Sequence, residues 1–327
     1  MAFIARRLAF YAAAIWAAVT INFAIPRIMP GNAVDSVLGR FQNLSPAVVK
    51  ALEIEFGLHP KGSLLSQYLQ YWNNVLHFNL GTSTSQYPTH VSTIIGQTLP
   101  WTLILVGVAT VLSFAIGTLL GVFAAWRRGG VLDRVLPALT LLQATPYFFL
   151  ALLMIYLFAI KLNWLPYGQG YSLGLSPGFN WSFISSAVTH SILPALTIIA
   201  TSIGGWMLQM RNVMLTTISE DYILVAQAKG LSGRRVMFTY GARNAILPNI
   251  AGFALALGFV VAGALVMEIV FSYPGVGFTL YNAVTSNDYP LMQGIFLVIS
   301  MTVLTASLLA DIVYAFADPR ARTRSAF

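Results

Sequence analysis

The sequence predicts an all-α membrane protein, a bundle of six transmembrane helices with both termini in the cytoplasm and a large first extracytoplasmic loop. Three observations carry that expectation. Of 327 residues, 57% are hydrophobic and only 9% charged, with a mean hydropathy of +0.74, whereas soluble domains are about 25% charged. Six apolar runs, 8–28, 99–126, 134–160, 190–210, 246–271 and 291–316, are long enough for a bilayer, which takes about 20 residues. Lys and Arg are also sorted: with the N-terminus inside, 13 of the 18 fall on the inner side and 5 on the outer, as the positive-inside rule requires. The net charge of +8 is therefore a topology signal, and no nucleic-acid partner is implied. The absence of cysteine excludes disulfides, thiolate metal sites and cysteine nucleophiles.

Taken in order, 1–28 is a short tail and the first helix. Arg6 and Arg7 before an apolar run imitate a secretory signal, but no small-residue cleavage site follows and five more runs come later, so the helix is read as retained. The outer segment 29–98 is expected to be ordered. Ser45-Pro46 caps a short helix to about Phe56, and Leu65, Tyr68, Leu69, Trp72 and Leu76 recur at helical spacing, giving an amphipathic helix for the membrane surface or an outside partner. The remaining 99–327 forms a five-helix core. Pro100, Pro137, Pro194, Pro248 and Pro290 fall near expected helix starts, where a missing N–H costs little. Pro146 lies inside the third run and is expected to kink it. Gly117 and Gly121 form a GxxxG pair that suits close helix packing.

Several patterns that imitate chemistry lose to plainer readings. Gly170-Tyr171-Ser172-Leu173-Gly174 matches a nucleophile elbow, which needs a strand, a sharp turn and a helix; it lies in a Gly/Pro-rich outer loop with no strand before it. His59, His77, His90 and His190 are scattered without metal-ligand spacing, so no metal site is expected. None of the four Lys is followed by Ser or Thr, so the chain lacks a phosphate-binding loop. Glu268, near the outer end of the fifth run, Asp288, before the sixth, and Asp311, near its inner end, are the acids placed to line a translocation path or its mouth. Glu268 and Asp311 are close enough to an interface to be partly solvated.

The most informative stretch is 220–248, EDYILVAQAKGLSGRRVMFTYGARNAILP, which interrupts the apolar chain between the fourth and fifth runs. Glu220 and Asp221 sit at a helix start, where acids favour the positive end. The pattern continues through Tyr222, Ile223, Ala226, Ala228 and Lys229, and Gly230 stops it. A second pattern leads through Val236 and Phe238 to Arg243-Asn244, and Leu247-Pro248 opens the fifth run. A short, rigid helix is thus expected across the cytoplasmic mouth, within the loop 211–245, with small residues that permit close approach.

EDYILVAQAKGL followed by RNAILP resembles the cytoplasmic coupling loop of ATP-binding-cassette importer permeases, in the dipeptide/oligopeptide/nickel variant. MEIVFSYPGVGFTLYNAVTSNDYPLMQG at 267–294 is similar to that family's segment between the last two spans. DIVYAFADPRAR at 311–322 resembles its C-terminal end, and GLHPKGSLLSQYLQYW at 57–72 with NLGTS at 79–83 resembles its first outer loop. The departures are local: Asn79, His59 and Gln227 stand where the family often has other residues.

That resemblance implies a type I importer permease in the bacterial inner membrane. It would pair with a second homologous permease, two ABC ATPase subunits and an extracytoplasmic substrate-binding protein, in contact with membrane lipid. The ATPase-coupling residues would be Glu220, Asp221, Tyr222, Ala226, Ala228, Lys229, Gly230, Arg243, Asn244 and Pro248. The chain itself would bind no cofactor and perform no catalysis, with ATP and Mg on the partner subunits. Peptides are the expected cargo, with oligosaccharides or nickel as alternatives. An ion-coupled secondary transporter using Glu268 or Asp311 is the reading from a different class, and a membrane-embedded hydrolase would need Ser172.

Overall fold

The computed structural model describes residues 2–28, 45, 63–258, 260 and 265–317. The helices are α1 (Ala2–Ile28), α2 (Leu64–Leu76), α3 (Val91–Trp126), α4 (Val131–Ala144), α5 (Tyr147–Met154, continued by a π-helical stretch Ile155–Lys161) and α6 (Trp181–Ile218). They continue with α7 (Asp221–Ala228), α8 (Leu247–Gly258), α9 (Leu265–Val270), α10 (Val276–Thr285) and α11 (Tyr289–Ala317). Between α7 and α8 run a single turn Gly233–Arg235, a π-helical stretch Val236–Ala242 and another turn Arg243–Ala245. No strand occurs among the described residues, only one isolated bridge between Thr82 and His90. Apart from Ser45, the helix expected over 45–56 lies outside the described residues, as do His59 and the Asp318-Pro319-Arg320 run.

Among the described residues, four helices are long and apolar enough to cross a membrane: α1 over Arg6–Ile25, α3, α6, and α11 over Tyr289–Leu309. At 1.5 Å per residue, the 36 residues of α3 and 38 of α6 run to about 54 and 57 Å, well beyond a hydrocarbon core of about 30 Å. Their ends therefore project past it. A fifth crossing exists only if α4 and α5, which meet at 102°, are taken as one broken span. The expected kink at Pro146 is thus a break. Thr145, forced out of helical geometry by the following proline, adopts φ −76, ψ 133. Of the expected fifth run, Leu247–Gly258 and Leu265–Val270 are described, as α8 and α9.

The prolines divide into two groups. Pro248 and Pro290 occupy second positions of α8 and α11, as expected, but Pro100, Pro137 and Pro194 lie inside α3, α4 and α6. In an apolar setting each proline removes a single helical bond, and packing against neighbouring helices lets the helix run on.

The chain forms two compact units, Met1–Thr102 with Pro274–Thr305, and Leu103–Tyr273 with Ala306–Phe327. In the first, α1 and α11 are joined by reciprocal amides: Asn22 Nδ2 donates to the Gln293 carbonyl at 2.8 Å, and Gln293 Nε2 donates to the Asn22 carbonyl at 3.0 Å. The aromatic edge of α2 docks on α1. Tyr68 shares a hydrogen bond with Thr20 at 2.7 Å, Tyr71 accepts from Asn22 at 3.0 Å, and both rings meet Phe23. Burial pushes the Tyr71 phenol up to about 12, against the pull of the Asn22 amide and the Arg27 charge. Leu65, Leu69 and Leu76, which share the expected apolar stripe with Tyr68, remain exposed. The stripe is therefore split between an internal contact and the surface.

In the second unit α6 is the spine. A Cβ on Gly117 would stand 2.8 Å from the Ile203 carbonyl, and one on Gly121 2.6 Å from that of Met207, so the GxxxG pair brings α3 against α6 backbone to backbone. Gly204 repeats the device from α6, facing the Leu139 carbonyl of α4 at 2.5 Å. Phe114 stacks on Phe253 of α8 at 4.3 Å and meets Trp206 edge-on at 5.3 Å.

Candidate functional site

The candidate site is α7 and the segment behind it, all within the second unit. Glu220 occupies the N-cap with extended backbone (φ −75, ψ 146), its side chain makes no cap bond, and Asp221 supplies the first-turn acid. At the other end Gly230 adopts φ +72, a left-handed conformation that suits a residue without Cβ. Its N–H donates to the Gln227 carbonyl at 2.9 Å, and Leu231 N–H to that of Ala226 at 3.4 Å. The last carbonyls of the helix are thereby capped.

The inner face of α7 is set by Ile223 and Ala226, three residues apart and both buried. They pack with Val236 against Trp126, Leu231 and Tyr240. Complete burial of a side chain the size of Ile contributes roughly 1.5–3 kcal/mol, so the helix is held as a rigid element on the end of α3. Beneath it lies a second cluster of Val122, Ala125, Met210, Met214, Met237 and Ala245. Gly241 approaches so closely that a Cβ there would stand 2.5 Å from the Met214 methyl, and this crossing falls within the π-helical stretch.

This geometry re-sorts the residues singled out from the sequence. Ala226, read as a point of close approach for a partner, faces inward and supports the helix. Tyr222, Ala228 and Lys229 are exposed. The structure brings Tyr222 and Asn244 together: Asn244 Nδ2 donates to the Tyr222 hydroxyl at 3.2 Å and to the Tyr240 carbonyl at 3.0 Å, tying the two halves of the loop. Arg243 and Pro248 are exposed farther along. Two residues were missed, Leu224 and Val225, which are 58% and 53% exposed. Their signal was available, since inner residues at 223 and 226 leave 224, 225 and 228 on the outer side.

The candidate path acids also move. Glu268, expected to be partly solvated, is fully buried in α9, and its carbonyl accepts the Tyr273 N–H at 2.8 Å. Asp288, in the first unit, is equally buried. It accepts from the Ser83 hydroxyl, from Ser85 N–H at 2.9 Å, from the Ser85 hydroxyl at 2.6 Å and from Leu291 N–H at 3.1 Å. A carboxylate with four internal donors at the start of α11 is an anchor for the 83–85 segment, not a lining of an open path. Asp311 is half-buried in α11. No cluster of potential metal ligands occurs among the described residues.

Ser172 lies in irregular chain that continues to the start of α6 at Trp181, so the elbow geometry is not met. Its N–H donates to Ser186 Oγ at 2.9 Å, and that hydroxyl donates to Ser172 Oγ at 3.0 Å. The Nδ1 of His190 lies 2.8 Å from the Ser186 carbonyl. These groups line an open cavity of about 570 Å³ with other hydroxyls of α6 and no acid in its lining.

Comparison with known proteins adds the family context. A family model described as "Binding-protein-dependent transport system inner membrane component" matches residues 117–323. A putative peptide permease protein of Brucella suis biovar 1 is 34% identical over 299 residues, 91% of this chain and 92% of that protein. The di/tripeptide transport system permease protein DppB of Pseudomonas aeruginosa is 32% identical over 339 residues, 98% and 99% of the two chains. The oligopeptide transport system permease protein AppB of Bacillus subtilis is 31% identical over 301 residues, 92% of each.

Proposed function

The chain belongs to the family of binding-protein-dependent transport system inner membrane components, and from that premise we propose that this multi-pass permease subunit carries peptides inward and takes its drive through α7. It forms half of a translocation path with a second, homologous permease. Two cytoplasmic ATPases carry ATP and Mg, and an extracytoplasmic binding protein delivers cargo to the outer face. The chain crosses the membrane six times, with both termini and 211–245 inside and the 29–98 segment outside. Hydrolysis is the work of the partner subunits.

The observation that carries the reading is the construction of α7. A two-turn helix is fixed on its inner side by Ile223 and Ala226 and offers Leu224 and Val225 outward. An exposed apolar pair on a rigid helical mount suits docking of a helix face into a groove of another protein. Because the mount is Trp126 and the end of α3, movement of that groove shifts the equilibrium between two arrangements of the helices. Peptide cargo is supported by the names of the relatives across nearly their full lengths.

The test is ATP-driven uptake of labelled di- to oligopeptides into vesicles containing the assembled complex, with wild type against Leu224→Asp combined with Val225→Asp. The expected result is normal insertion, loss of ATPase co-purification and loss of uptake. Uptake that continues without ATP and follows an ion gradient would overturn the reading in favour of a secondary transporter.

A further inference from the structure

Where α3 ends and α4 begins, a cavity of about 630 Å³ is lined by Phe123, Trp126, Arg127, Val131, Leu132, Arg234 and Met237, with Gly130 at the turn. Its chemistry is lopsided. The walls are apolar, and the charged groups in the lining are two guanidiniums from separate elements, Arg127 after α3 and Arg234 in the turn after α7. Neither side chain has a hydrogen-bond or ion-pair partner among the described residues. The nearby acid Asp133 is engaged, paired with Arg211 Nε at 2.6 Å and accepting from Gly129 N–H at 2.9 Å. Arg134 is turned to the Gly129 carbonyl at 3.1 Å. No carboxylate lines the cavity to neutralise its two cations.

The depth profile narrows the occupant. Phe123 lies four residues before Arg127 on the same helical course, about 6 Å deeper toward the apolar body of α3. A guanidinium level with an aromatic and aliphatic wall one turn further in matches a molecule with an anionic head and a hydrocarbon tail. We propose that this cavity binds an anionic phospholipid of the cytoplasmic leaflet, its phosphate between Arg127 and Arg234 and its acyl chain along Phe123, Trp126, Leu132 and Met237. Bidentate guanidinium–phosphate pairing supplies the selectivity. Trp126 also belongs to the cluster that mounts α7, so the occupied cavity braces the element through which drive enters.

The leaflet rests on the orientation proposed above, whereas binding itself does not, so the experiment is done in detergent. The full complex is purified and titrated with phosphatidylglycerol or phosphatidylethanolamine, and bound lipid is counted by native mass spectrometry. Wild type is expected to retain phosphatidylglycerol in preference by on the order of tenfold or more, given the attraction of two basic groups for an anionic head. Arg127→Gln with Arg234→Gln should abolish the preference. Arg128→Gln, whose side chain does not line the cavity, should keep it. Equal retention of the two lipids by wild type would overturn the proposal, and that comparison stands even if the double variant does not accumulate. Unchanged preference in the double variant would overturn it as well. Loss of ATPase subunits from the double variant with lipid binding intact would assign the cavity to a protein interface instead.

Discussion

Gly230 has no atom within 4 Å of where a Cβ would stand, yet its φ is +72. Any penalty for a side chain there is conformational and not steric. A β-branched residue in the left-handed region costs of order 1–3 kcal/mol, whereas Asn adopts that region readily. Gly230→Val is therefore expected to insert normally and lose ATP-driven uptake, while Gly230→Asn retains most of it. Uptake normalised to permease in the membrane checks both, and equal behaviour of the two variants would count against the cap. Asp288 is the opposite kind of residue, valued for contacts rather than backbone. Asp288→Ala strands the donors of Ser83 and Ser85, at roughly 3 kcal/mol. A lower thermal midpoint of the purified complex is expected, with the surviving protein unchanged in peptide selectivity. An altered selectivity at unchanged stability would return Asp288 to the path.

At the scale of elements, packing of helices on helices depends on a few glycines. A Cβ on Gly121 would meet the Met207 carbonyl at 2.6 Å and the Met210 Cβ at 2.7 Å. The carbonyl is backbone and cannot rotate away, so even Gly121→Ala forces α3 off α6. Overpacking of this kind costs about 1–3 kcal/mol or more. Reduced membrane abundance of Gly121→Ala, measured beside Gly96→Ala where a Cβ meets open space, is the expected outcome. α7 illustrates a different rule, in which phase decides role. Ala226 and Ala228 have the same side chain, but one closes the inner cluster and the other is exposed. Ala228→Trp is expected to leave assembly of the permease intact and to block ATPase binding in co-purification. Ala226→Trp should lower the amount of folded permease, because the bulk enters the cluster with Trp126.

For the whole molecule, orientation is the property most directly read from charge. Cysteines placed singly at Ser45, Ser176, Ser232 and Ser325 in this cysteine-free chain are expected to label from outside only at the first two. Outside labelling at Ser232 in intact cells would reverse the proposed topology and move α7 away from any cytoplasmic partner. The same paucity of charge that makes topology legible also hides the ends of helices. Polar residues mark where α7 starts and stops, and Arg127-Arg128 mark the end of α3, whereas α3 and α6 begin at Val91 and Trp181, eight and nine residues before the apolar runs at 99 and 190, without a charge to announce it.

The sequence by itself determined the class, the family resemblance and a short helix within 220–230, because composition, sorted Lys and Arg, and an acid-to-glycine pattern are local properties that act wherever the chain lies. It also marked Gly117 and Gly121 as packing residues, since spacing alone puts them on one face. The tertiary structure decided what spacing leaves open. Pro146 breaks a run while Pro100, Pro137 and Pro194 do not, and nothing in the residue type distinguishes them; neighbouring helices decide whether a lost backbone bond is tolerated. Glu268 and Asp288 became buried because contacts far apart in the chain close over them, as Ser83 and Ser85 do over Asp288 across some two hundred residues. Leu224 and Val225 turned outward because Trp126, a residue of another helix, claims the other side of α7.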